Sequence, residues 1–118
     1  MNERDLQSQA VTAWRSMGAT ALVLGHSRRQ ASCPNCGHRF ADHRTQQAEG
    51  LFDLLLFWPQ YRVIQGIEMK TRSGHLRPMQ LALHAVAAEA GIATYVVRSM
   101  ADVVTVARAA GVAVREEE

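Results

Sequence analysis

Glu68 and Lys70 sit two apart in Ile67-Glu68-Met69-Lys70, and Asp53 lies upstream in Gly50-Leu51-Phe52-Asp53-Leu54-Leu55-Leu56. In an extended strand, residues two apart project to the same face, so Glu68 and Lys70 point together while Met69 turns to the other side. If Pro59-Gln60 makes the turn of a hairpin, the start of one strand comes opposite the end of the other. Asp53 then meets Glu68 and Lys70 at one edge of a sheet. Two carboxylates held close together repel unless a cation lies between them, and an oxygen-rich site with open positions suits Mg²⁺ or Mn²⁺. A lysine alongside can orient or deprotonate a water, or stabilise charge developing on a phosphate. Together these are the parts of metal-dependent phosphodiester hydrolysis. E-x-K alone carries little, because an exposed ion pair with an unrelated strand-start aspartate would read the same way.

The elements around these residues can be read from periodicity and punctuation. Asn2 caps a helix with Glu3 and Asp5 in its first turn, and Leu6, Ala10, Ala13 and Met17 recur at helical spacing up to Gly18. Ala19 to Leu24 is a short apolar strand. Leu51 to Trp58 and Tyr61 to Lys70 are two further strands, apolar enough for a sheet interior. Pro78 opens a second helix whose apolar stripe is Met79, Leu83, Val86 and Ala90, closed by Gly91. Ile92 to Val97 is a β-branched fourth strand, and Ser99 with Asp102 makes a capping box for a last helix ending at Gly111. The order α-β-β-β-α-β-α predicts an α/β fold, a mixed sheet flanked by helices with a right-handed crossover between the third and fourth strands.

With those residues in that order, the sequence resembles the PD-(D/E)XK nuclease superfamily and, within it, the VRR-NUC family, whose members include Holliday-junction-resolvase-like nucleases. The resemblance runs from Gly50 to about Val97, with the first helix added. It implies a restriction-endonuclease-like αβββαβ core and cleavage of DNA. It also implies that Asp53 and Glu68 bind the catalytic metal, that the Met69 carbonyl adds a ligand, and that Lys70 is the catalytic lysine. Gln80 matches the glutamine of the following helix, and Glu3 the acidic residue of the first helix that completes the metal site. Two positions depart from the pattern: Phe52 stands where the family has proline, and Arg77 where it has a Ser or Thr cap. Neither removes a metal ligand.

Between Gly25 and Gly50 periodicity disappears. Cys33-Pro34-Asn35-Cys36-Gly37 has the tight turn of a zinc knuckle, with His38 and His43 downstream. One knuckle is half a site; the remaining Zn²⁺ ligands would be His38 and His43, or His26, or the same cysteines of a second copy. Two free thiols in a polar loop are the competing reading. Residues 26–49 are thus a candidate zinc-organised insertion in a single domain spanning 1–118, long for a loop that nothing organises.

A chain of 118 residues with 47% hydrophobic content suits one core. All but one of its 13 basic residues are arginine, which favours forked hydrogen bonds to phosphate. Arg28, Arg29, Arg39 and Arg44 form one basic neighbourhood, and Arg72 and Arg77 flank the approach to the second helix; all six are candidate DNA contacts. His84, one turn beyond Gln80, and His75 are lesser candidates. No apolar run is long enough to span a bilayer, and the polar start lacks the order of a secretion signal, so the expected location is the cytoplasm, on bacterial or phage DNA. The expected protein is a Mg²⁺- or Mn²⁺-dependent deoxyribonuclease, selective for branched, flapped or junction DNA and working as a homodimer. The alternative is a non-catalytic DNA-binding or protein-interaction module on the same fold.

Overall fold

The computed structural model describes residues 2–24, 30–32, 35–36, 39–41 and 52–114. Helix α1 (Glu3–Ser16) begins where Asn2 Oδ1 accepts the Asp5 amide at 2.8 Å, and Glu3 and Asp5 favour the positive end of its dipole. Strand β1 (Thr20–Val23) follows. Strands β4 (Leu54–Trp58) and β5 (Val63–Met69) form the expected antiparallel hairpin, turned by a 3₁₀ segment over Pro59–Tyr61 that ends on Arg62 at φ 55°. Helix α2 (Pro78–Glu89) crosses to β6 (Ala93–Val97), which runs parallel to β5, and α3 (Met100–Ala110) closes the described chain. The main sheet has the order β1-β4-β5-β6, so the hairpin occupies its centre.

One face of this sheet carries Leu54, Leu56, Trp58, Ile67, Met69 and Val97, all essentially inaccessible, against Leu6, Ala10 and Trp14 of α1 and Val103, Val106 and Ala107 of α3. Strict alternation along β4 and β5 produces this division, since each second residue turns inward. Polar atoms inside it are paired. Trp14 Nε1 donates to the Val103 carbonyl, and Gln65 accepts from Trp58 Nε1 at 2.8 Å while donating to the Val106 carbonyl at 3.1 Å. These bonds pin α1 and α3 to the same side.

Two expectations need correction. The α2 stripe does not face the core: Met79 and Val86 are 50% and 59% exposed and Ala90 lies at the surface, whereas Gln80 and Ala87 are buried. The helix is rotated so that a polar residue faces the sheet, because Gln80 Nε2 donates to the buried Glu68 carboxyl there. The segment between β1 and β4 also contains regular structure, a second antiparallel sheet of β2 (Gln30–Ser32) and β3 (Arg39–Ala41). Strands this short show no readable alternation.

Candidate active site

The hairpin register sets the site. Leu54 pairs with Ile67, leaving Asp53 and Glu68 opposite each other at the next position, on the face away from α1 and α3. Asp53 is fixed from both sides: its carbonyl accepts the Leu24 amide at 2.8 Å, and its Oδ2 accepts the Met69 amide at 2.6 Å. Glu68 is 2% exposed. Its Oε1 accepts from Gln80 Nε2 at 2.8 Å and lies 3.9 Å from Lys70 Nζ. The Gln80 amide is held in turn by the Arg77 N–H, which donates to its Oε1 at 2.9 Å at the start of α2. Glutamine's two ends thus connect a helix N-terminus to a buried carboxyl.

The other oxygen, Glu68 Oε2, is buried and finds no donor among the described residues. Burial, the charge of Asp53 and a hydrogen bond that protonated Glu68 gives to Asp53 push the Glu68 pKa up to about 8, with Glu3 adding to the rise and Lys70 opposing it. Without a cation, then, Glu68 carries a proton at neutral pH. A divalent ion between Asp53 and Glu68 would do the work of that proton with more charge, and the donorless Oε2 fits it. Glu3 stands nearby, its carboxylate accepting the Thr71 amide at 3.3 Å. Among the described residues no three His, Cys, Asp or Glu side chains are already gathered around one point for a metal.

The same arrangement of sheet and helices occurs in a solved structure titled a VRR_NUC domain, with a TM-score of 0.63 over 92% of this chain and 97% of that one, at 21% identity. The fold is that of a VRR_NUC domain. No family model matches the sequence, and no curated protein does.

Within the VRR_NUC fold, the residue before Asp53 has its own support. The Phe52 ring is wedged between Gly66 and His84, whose ring meets it edge-on at 4.9 Å. A Cβ on Gly66 would come within 2.9 Å of that ring. Gly66→Ala should therefore cost about 1–3 kcal/mol, as overpacking does, and displace Asp53 along with Phe52; chemical denaturation and a metal titration of the variant check both effects. Glycine inside a strand was the available sequence signal for this close approach. His84 packs on Phe52, and burial lowers its pKa, which favours the neutral ring.

A residue not singled out from the sequence also shapes the candidate site. Arg98, just after β6, donates from Nη1 to the carbonyls of Thr71 (2.8 Å) and Gly74, holding the loop that follows Lys70. Its own amide donates to Asp102, the acidic member of the α3 cap, while Ser99 Oγ accepts the Asp102 amide. Arg72, His75 and Arg77 are exposed around this loop. Arg39 falls in β3 and Cys36 is exposed in a turn. Arg28, Arg29, Arg44, Cys33, His38 and His43 lie outside the described residues.

Proposed function

We propose that the protein is a metal-dependent nuclease that hydrolyses DNA phosphodiester bonds. The observation that carries this reading is the buried Glu68 carboxyl, one oxygen held by Gln80 and the other without a donor, facing Asp53 with Lys70 alongside. Asp53 and Glu68 would hold Mg²⁺ or Mn²⁺, with Glu3 and the Met69 carbonyl as further ligands. A bound ion supplies Lewis-acid stabilisation of the phosphate and a lowered water pKa. Gln80 holds Glu68 in orientation, and Lys70 as an ammonium orients the attacking water or faces the charge developing on phosphate, or, having first given its proton to solvent, accepts one from that water.

Selectivity for branched or flapped DNA, and pairing of two copies to cut both strands, belong to the same proposal. The half-exposed Leu22 and Ile64 on the sheet offer apolar surface to a second copy. In the insertion, Zn²⁺ on Cys33, Cys36, His38 and His43 is the proposed organiser, carrying its arginines toward the DNA. The test is incubation of the purified protein with plasmid, single-stranded and four-way-junction DNA in Mg²⁺, Mn²⁺ or EDTA. Cutting with a divalent ion and none in EDTA is expected; failure to cut any of the three with either metal removes the nuclease assignment.

A further inference from the structure

A cavity of about 270 Å³ opens beside Lys70, on the side toward the starts of α1 and α3. Its lining includes the apolar Leu6 and Met100 and the basic Lys70, Arg72 and Arg98, with Glu3 as the acidic member. Such a volume lies near the small end of ligand sites, roughly 300–1,000 Å³, which is room for one small unit and not for a duplex. The lining thus holds both of the chemistries a nucleotide offers, apolar side chains and cationic donors. Met100, with the buried Leu6 behind it, offers apolar surface to a sugar and base, and Arg72 and Lys70 offer donors to a phosphate. Arg98 is anchored on the Thr71 and Gly74 carbonyls, so it fixes the loop that carries the exposed Arg72. Lys70 is shared by this cavity and by the carboxyl pair, so an occupant of one lies next to an occupant of the other.

We propose that this cavity is a subsite for the nucleotide adjoining the bond to be cut, with Arg72 contacting its phosphate and Met100 its sugar and base. The inference rests on the nuclease reading for its biological sense, but its test does not require cleavage. Full-length protein in EDTA is titrated calorimetrically with thymidine 5′-monophosphate, thymidine and inorganic phosphate. The nucleotide should bind more tightly than either fragment, and Arg72→Asp should weaken it by about tenfold or more, as loss of a charge-assisted phosphate contact does. Arg62→Asp makes the same charge change at the hairpin turn, in a left-handed conformation that Asp tolerates, and should alter binding less than about twofold. Equal weakening by the two substitutions, inorganic phosphate binding as tightly as the nucleotide, or no binding of the nucleotide would each overturn the subsite. A protein that cuts DNA while its nucleotide binding ignores Arg72 keeps the nuclease reading and loses the subsite. One that binds through Arg72 yet cuts nothing keeps the subsite and loses the nuclease reading.

Discussion

Glu68→Gln should reduce metal-dependent DNA cleavage on the order of 10³-fold, by removing one of the two carboxylates proposed to hold the ion, and should make the metal-free protein more stable at high pH. The second effect follows from the proton that Glu68 holds. With its pKa raised from 4.5 to about 8 in the fold, the native state keeps a proton that the unfolded chain gives up. Its contribution is fully present below pH 4.5 and is lost as pH rises through 8. Glutamine has no proton to lose, so its stability should not fall across that window, and the difference between the two proteins should widen by a few kcal/mol, an order-of-magnitude figure. Urea denaturation in EDTA at pH 5 and pH 9 measures it; parallel behaviour of the two proteins would sink the assignment of the raised pKa. Because an ion must displace this proton, Mn²⁺ affinity of the wild type should climb with pH up to about 8 and then level off.

What could be read from the sequence is what depends on local spacing. The Asn2 cap, the Pro59 turn and the parity of Glu68 and Lys70 need only neighbours along the chain, and Asp53 follows once the turn is placed. Gln80 was legible only through the family resemblance. Its apolar neighbours Met79 and Val86 suggested that they faced the core, whereas the helix turns Gln80 inward to donate to the buried Glu68 carboxyl. That demand comes from a different element and leaves no periodic trace. The same holds for Gln65, whose partners Trp58 and Val106 sit on a strand and a distant helix, and for Arg98, whose acceptors are carbonyls of the loop after Lys70. Where a buried polar atom must be satisfied across the fold, the identity of its partner is set by packing and not by spacing.

Lys70→Ala distinguishes a chemical role for this side chain from a structural one. Its Nζ is 3.9 Å from Glu68 Oε1 and its side chain only 14% exposed, so it affects the carboxyl pair through a partly desolvated gap. Losing a residue that moves a proton in the transition state should lower cleavage by roughly 10²–10⁴-fold. Metal binding should respond differently. Lys70 is the positive charge that opposes the rise of the Glu68 pKa, so its removal lets the proton compete harder. Its removal also takes away a repelling cation, so the variant's gain in Mn²⁺ affinity over wild type should be larger at pH 9 than at neutral pH, where the proton still competes. A merely structural lysine would lower affinity at both pH values together with stability. Lys70→Arg adds the last distinction, because guanidinium keeps the charge but does not give up its proton. It should preserve the wild-type pH dependence of Mn²⁺ binding without restoring cleavage; full cleavage by the arginine variant would assign Lys70 to charge stabilisation alone.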